Sequence, residues 1–578
     1  MKSLRVRRRP PAAEATPISP AFPWNTVATL GAGSVAAVDG RGAIFPYRRP
    51  VSIECWFGVG DRWLRGGSGD GVRQRRVDGL PIIETRQRAG DHDVVLTAWA
   101  DESGDAKGRV IVELSNDTGD AAVVAIVVRP HGLQGAGSIG SVRVADTLIV
   151  ADRVPLVDIG RQPGDVIVAP DPDRDHPAMY DLFDLDRSEL RGDDALQSTD
   201  GVASLAALIP LTPGVDRQIQ IFDGGEAASV APAPLDNVLN GWKAHLEAAA
   251  EFELPRFPDH LPPSLVAGVV GAVADHGKPP ADALWVEADD ALLATALSGI
   301  GLHWGAAEIL ERLLDGVVTG RIPRETWVDV ACAIAAGDRS SAVEGVLARH
   351  GEAFVAVTGE ALSTVSSAVL QDRLVAAVER VHGGAAADDA RSIAARPIAT
   401  AAVRARRHGF GVDRVEGDAS AGDPADEGPA FAVAAKILAA VDSAESYEPI
   451  VPLRSAAGTT WRWSRSACGD SPHARAALLI ALRRVCLTES VGAVDLFPGA
   501  DQTWLGQSAA FRRLPTAYGN LSCALRWHGA RAALLWEFDD AVPDDVVITS
   551  SILDPSFTGL GASGEVLLAE PTHLSGRR

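Results

Sequence analysis

Three carboxylates, Glu287, Asp289 and Asp290, stand close together in LWVEADDALLATALSGIGL, directly ahead of an almost wholly apolar segment. A pair of carboxyls can do acid and base work when one donates a proton and the other accepts one or attacks. Glu287 and Asp290, if helical, are i,i+3 neighbours on one face, so they cannot flank a substrate between them. An opposing acid must come from another element. Glu325 and Asp329 supply it, in the next mainly apolar run ETWVDVACAIAA. Asp470 with His473, in GDSPH ahead of a later apolar run, is a third group. Each acid also has a plain structural use: Asp289 suits an N-cap, and Glu287, Asp290 and Glu325 sit where negative charge favours a helix dipole.

Other chemistries find less support. The five cysteines, at 55, 332, 468, 486 and 523, are scattered and form no C-x-x-C pair, so buried free thiols are expected and no metal or cofactor is. GAGSIG at 135–140 matches a dinucleotide fingerprint, but SVRVADTLIV after it is strand-like, and no helix N-terminus awaits a pyrophosphate. It reads as a loop. Asp171, Asp173 and Asp175 begin like a calcium loop, but His176 stands in place of the required Gly and Leu182 in place of the closing Glu. With 54 Lys+Arg against 76 Asp+Glu, the formal net charge of −22 repels phosphate backbones and anionic membranes. Neither a nucleic acid nor a membrane is an expected partner. The basic start MKSLRVRRRPP leads into prolines rather than an apolar run, so the expectation is a cytoplasmic protein with residues 1–22 as a disordered tail.

The elements that must position the acids change character along the chain. Over 23–230, short strands are separated by turns, with Asp78-Gly79 closing one hairpin and 115–120 making another turn between strands at 109–114 and 121–129. That texture predicts an antiparallel β-sandwich. Over 231–489 the period is helical and the helices alternate. Residues 291–302 are apolar all round, whereas 306–318 put Ala306, Ile309, Leu310, Leu313, Leu314 and Val317 on one face and Glu308, Glu311, Arg312 and Asp315 on the other. Residues 325–336 are again mainly apolar, and 340–350 regain a polar side. Enclosed helices must be apolar around their circumference and outer ones need only a stripe, so concentric rings of helices fit the alternation. Further helices are expected at 358–382, 385–408, 430–443 and 473–489, with VEGDASAGDPADEG at 415–428 as a surface loop. From 490 to 578 strands return around His528-Gly529, predicting a small C-terminal β-domain.

This order resembles the bacterial six-hairpin glycosidases of the glucoamylase-like type. Three segments carry the resemblance: WVEADDALL from Trp285, with Asp289 at the family's Asp; GRIP at 320–323 with Trp327-Val328-Asp329, Asp329 lying nearest the family's Glu; and GDSPH at 469–473 with LFPG and TWL after it. Ala288 stands where the family has Arg, and Trp-Val-Asp where it has Trp-Asp-Glu. The resemblance implies a multidomain α+β protein whose centre is an (α/α)6-type helical toroid with a carbohydrate cleft at one end. It also implies an oligosaccharide or polysaccharide partner and acid/base hydrolysis of a glycosidic bond. Glu287, Asp289, Asp290 and Asp329 are then the candidate catalytic carboxylates. Trp285, Glu325, Trp327, Trp461, Trp463, Asp470 and His473 are candidates for substrate binding. Trp304 is another large aromatic that can stack on a sugar, and the alternation of Trp461-Arg462-Trp463 puts two rings on one side of an extended segment. The alternative is a catalytically degenerate relative that keeps the toroid as a carbohydrate-binding or protein-interaction module, favoured by Ala288 and by the lack of a clear Trp-paired Glu in later hairpins.

Overall fold

The computed structural model describes residues 25–30, 33–60, 62–64, 71–89, 91–102, 108–132, 135–170, 195–223, 230–255, 266–267, 269–270, 290–322, 324, 327–337, 339–364, 368–394, 413–415, 453–454, 460–462, 472–540, 542–543, 545–571 and 574. The chain divides into two units, residues 1–77 with 81–238 and residues 78–80 with 239–578. The expected helix at 430–443, the second half of that at 385–408, nearly all of the 415–428 loop, and Asp171, Asp173 and Asp175 lie outside the described residues.

Antiparallel sheets build the first unit. One runs through Asn25–Thr29, Gly33–Val38, Ile44–Pro46, Ser52–Val59, Ala122–Arg129, Ala203–Leu211 and Asp165–Pro170, and Arg62–Leu64 adds to Ser52–Val59. The other runs through Ala195–Gln197, Ser141–Ala145, Leu148–Ala151, Val154–Asp158, Arg217–Phe222, Arg109–Asn116, His92–Asp101, Ile83–Ala89 and Val72–Arg76. Side chains on alternate positions, such as Val124, Ile126 and Val128 from the first sheet and Val94, Leu96, Val110 and Val112 from the second, share one core. Ala125 and Val127 point the other way, into a smaller cluster with Trp56, Ala206 and Leu208.

Turn chemistry explains the joints. Asp78, at φ 51, and Gly79, at φ 75, close the expected hairpin between Val72–Arg76 and Ile83–Ala89. The strands on either side of 115–120 do not pair with each other: Arg109–Asn116 pairs with His92–Asp101 and Arg217–Phe222, Ala122–Arg129 with Ser52–Val59 and Ala203–Leu211. The turn crosses between sheets, and Asn116 holds it by accepting from the Thr118 N–H and donating to the Asp120 and Leu211 carbonyls. The glycines of 135–140 serve close approach of backbone. A Cβ on Gly137 would fall inside the carbonyl of Pro50 and one on Gly140 would meet Asp152 at 3.3 Å. The strand Ser141–Ala145 follows, as the loop reading requires.

Buried charge is concentrated in this unit. Burial pushes the Glu54 carboxyl up, but Arg129 at 2.9 Å and donors from Trp56 and Ser52 hold it below the usual carboxylate range. At Asp39 the Arg41 charge is the weakest of the causes and does not offset burial. Burial raises its pKa to about 6 although the Arg41 and Ala43 N–H groups both donate to its Oδ1 at 2.9 Å, and the Glu54 charge adds to the rise.

Helices fill much of the second unit, the first of them starting at the end of the first unit: α1 Leu235–Leu246, α2 Asp290–Gly299, α3 His303–Val318, α4 Trp327–Ala336, α5 Ser341–Arg349, α6 Gly351–Thr364, α7 Ala368–His382, α8 Gly384–Ala394 and α9 Pro472–Cys486. α2 and α4 are enclosed and α3 carries a buried stripe of Ala306, Ile309, Leu310, Leu313 and Leu314, as the periodicity predicts. Arg312 departs from the expected outward face: it is half-buried, and burial lowers its pKa to about 10. The helix expected over 358–382 is two. Residues 365–367 between them lie outside the described residues, and in the last turn of the first the Ser363 hydroxyl donates to the Glu360 carbonyl. The helix expected to reach 489 stops at Cys486, where the strand Leu487–Ser490 begins.

Besides a short three-stranded sheet of Asp413–Val415, Thr460–Arg462 and Leu453–Arg454, two sheets complete the unit among the described residues. Glu251–Glu253, Ala509–Thr516, Gly519–His528, Arg531–Phe538 and Ser563–Leu567 form the larger, with Gly529 at φ 66 in the expected turn. Leu487–Ser490, Ala493–Leu496, Val547–Ser550 and Asp554–Leu560 form the smaller. Glu489 ties helices to strands: its carboxylate lies 2.6 Å from Arg483 of α9 and 3.6 Å from Arg373 of α7, and accepts the Ala517 N–H at 2.6 Å. Burial pushes this carboxyl up, but the two guanidiniums hold it below its ordinary value.

Two stability predictions follow from these carboxylates. Asp39 is protonated more readily folded than unfolded, so it weakens the fold as pH rises from 3.8 through about 6. Asp39→Asn keeps an oxygen for both N–H donors. It should stabilise the protein by on the order of 2 kcal/mol at pH 7.5 and by little at pH 4.5, read from denaturant titrations at both pH values. Glu489 has the opposite sign. Its contribution is full above the ordinary carboxylate pKa and is lost as pH falls through its lowered folded value, and Glu489→Gln should cost about 3 kcal/mol at pH 7.5 in the same titration.

Candidate functional site

Asp290 opens α2 and Asp329 lies in the first turn of α4, both where a carboxylate favours the helix dipole. The packing of α2 on α4 and on α9 decides how these turns are placed. Gly337, just past the end of α4, touches Ser298 near the end of α2 so closely that a Cβ would lie 2.7 Å from the serine Oγ. Gly299, the last residue of α2, faces Arg483 in the last turn of α9, where a Cβ would lie 3.3 Å from Cδ. The three helices therefore bring their C-terminal ends together. These ends meet the C-terminal strands: Arg483 donates to the Pro515 carbonyl at 2.8 Å and Arg339 to the Ala517 carbonyl at 2.8 Å. α2 packs on both α4 and α9, and Asp290, Asp329 and the backbone of His473 belong to the opposite, N-terminal turns of the three helices.

Trp327 and Asp329 do not share a face. Two residues of α-helix turn the side chain by about 200°. Asp329 looks toward the side of Cys332, one turn on. Burial pushes the Cys332 thiol up to about 11, the Asp329 charge adds to the rise, and the Arg484 charge from α9 opposes it. Trp327 instead meets Arg324, whose guanidinium carbon lies 5.8 Å from the ring centroid. The same guanidinium holds Glu360 of α6, with Nε at 3.0 Å and Nη2 at 2.6 Å from Oε2. One face of the indole is thus engaged by the protein's own cation, and its N–H is buried with no hydrogen-bond acceptor among the described residues.

Of the remaining candidates, Trp285, Glu287, Asp289, Glu325, Trp463 and Asp470 lie outside the described residues. Trp461 lies in the short strand Thr460–Arg462, opposite Arg414 and Leu453. Trp304, 36 % exposed, meets the His245 ring edge-on at 4.4 Å. Arg324, Glu360 and Arg484 went unnoticed in the sequence. Arg324 was the one with a local signal, since it directly follows the Gly-Arg-Ile-Pro turn.

Chemically, the arrangement offers ionisable carboxylates at neighbouring helix starts, the requirement for acid/base work on a substrate lying across them. Among the described residues no group of three or more His, Cys, Asp or Glu side chains is placed to hold a metal. A cavity of about 1310 Å³ lies over the larger C-terminal sheet, between Glu253, Ala510, Ala524, Leu535 and Glu565. A groove of about 910 Å³ runs past Asp315, His350, Glu352 and His382. Neither is lined by one of the candidate catalytic or substrate-binding residues.

No family model matches the sequence, and no curated protein matches it. Among solved structures the chain is similar to a putative kojibiose phosphorylase from the human microbiome, at 8 % identity over 95 % of this chain and 92 % of that one, with a TM-score of 0.43. It is also similar to a GH92 family glycosyl hydrolase, at 14 % identity over 64 % of this chain and 60 % of the other, with a TM-score of 0.29. Scores this low leave both as loose likenesses.

Cys332 gives the site a direct check. With its thiol pushed up to about 11 beside Asp329, peptide-resolved alkylation of the native protein should leave Cys332 unmodified at pH 7.5 and modify it above pH 10. In Asp329→Asn the onset should move to lower pH, because the nearby negative charge is gone.

Proposed function

We propose that this protein is carbohydrate-active, taking an oligosaccharide at the N-terminal ends of α2, α4 and α9, with the helices completing an (α/α)6-type toroid of the six-hairpin kind. What supports the reading is that α2 meets both α4 and α9 near their C-terminal ends, beside the C-terminal strands, so that in this reading the starts of α2 and α4, with Asp290 and Asp329, share the other end. In this reading Asp329 and one acid of the group Glu287, Asp289 and Asp290 stand on opposite sides of a glycosidic bond. One protonates the leaving oxygen and the other activates water or attacks the sugar, at about 5–5.5 Å separation for retention or about 6.5–9.5 Å for inversion. Trp285, Glu325, Trp461, Trp463, Asp470 and His473 would line the cleft, and Trp327 would support its wall through Arg324.

A binding-only role is the second reading. It is favoured by Ala288, which removes a planar cation able to clamp a sugar hydroxyl or orient a carboxylate.

A panel of α- and β-linked disaccharides and short oligosaccharides, screened by calorimetry and by reducing-sugar release, tests both. The hydrolase reading expects turnover of at least one member, reduced about 100-fold or more in Asp329→Asn with binding kept. Binding without turnover supports the degenerate relative. A panel in which nothing binds would sink the carbohydrate reading altogether.

A further inference from the structure

An arginine plate covers one edge of the nine-stranded sheet in the first unit. Arg73 on Val72–Arg76 stands directly opposite Arg86 on Ile83–Ala89, and Arg75 stands opposite Glu84. Arg88 stands opposite Asp93 on the next strand. Strand alternation places Arg73, Arg75, Glu84, Arg86, Arg88 and Asp93 on the same face. Like charges directly opposed across a strand pair are destabilising, so the Arg73 and Arg86 pair needs a reason.

The layering supplies part of it. Asp93 lies 2.5 Å from Arg73, 3.6 Å from Arg88 and 3.9 Å from Arg86. Glu84 lies 2.8 Å from both Arg75 and Arg86. Both carboxylates are 11 % exposed, while the arginine side chains are 62 % for Arg73, 63 % for Arg75, 37 % for Arg86 and 49 % for Arg88. The anions are posts beneath and the guanidiniums face outward, with Asp117 on the rim at 3.8 Å from Arg86. A chain of net charge −22 thus carries a compact outward-facing cationic surface.

We infer that this plate is a docking surface for a polysaccharide bearing carboxylates, a uronic-acid polymer. Charge complementarity calls for an anion, and guanidinium forks match carboxylates in the geometry already formed with Glu84. No large apolar side chain is exposed on these strands among the described residues, so the plate lacks the aromatic or aliphatic anchor that a protein partner uses. A flat polar sheet edge with repeated cations fits a linear, regularly charged glycan. The surface lies within the first unit and does not depend on the reaction proposed for the helices.

The test is binding of polygalacturonate to the full chain, with neutral dextran and poly-glutamate as comparators. Polygalacturonate should bind, weaken steeply between 50 and 300 mM salt (roughly the range over which exposed ion contacts are screened), and exceed poly-glutamate of equal charge. Arg73→Gln with Arg88→Gln should weaken it about tenfold, while Arg349→Gln, an exposed arginine on α5, should not. No binding, salt-independent binding, or equal binding of poly-glutamate overturns the inference. If the double variant misfolds, the wild-type salt dependence and the poly-glutamate comparison still decide it.

Discussion

Arg483 is the side chain on which the second unit's order depends. Its guanidinium is fixed by Glu489 and the Pro515 carbonyl, and its stem lies against Gly299 where no Cβ fits comfortably. That one residue sets the end of α9 against the end of α2 and both against the C-terminal strands. Gly337 repeats the constraint between α4 and α2 through Ser298. Everything functional at the other end inherits its position from these contacts. A buried ion pair with two guanidiniums on one carboxylate is a costly way to pack apolar helices, and it makes sense where geometry matters more than raw stability.

The acids at the helix starts need not choose between capping and chemistry. A carboxylate in the first turn is stabilised as an anion by the helix, which suits a base or nucleophile better than a proton donor. The proton donor of the proposed pair would have to be the carboxyl with the drier surroundings. This divides the roles by environment rather than by residue type, and it ties the charge felt at Cys332 to the state of Asp329.

Some of this was legible in the sequence, for physical reasons. The period of 291–302 and 306–318 gives the enclosed and striped helices, because burial on all sides leaves no room for polar residues. Asp78-Gly79 and His528-Gly529 give their turns, because positive φ selects such residues. Other features were not legible. Alternation identifies 109–114 and 121–129 as strands but carries nothing about which sheet each joins. Arg324 with Glu360, and Glu489 with Arg373 and Arg483, unite residues far apart in the chain, and no local spacing records them.

The central claim is that α2 and α4 run in the same direction, with their acidic starts together. Spin labels on Asp290→Cys and Asp329→Cys, in a background with Cys468 replaced, measure it against a second pair on Asp290→Cys and Ala336→Cys. With the helices about 9 Å apart, the first distance should be shorter than the second by about 5 Å, because the axial rise of seven residues, about 10 Å, adds to the lateral separation at right angles. Equal distances, or the reverse order, would contradict the account.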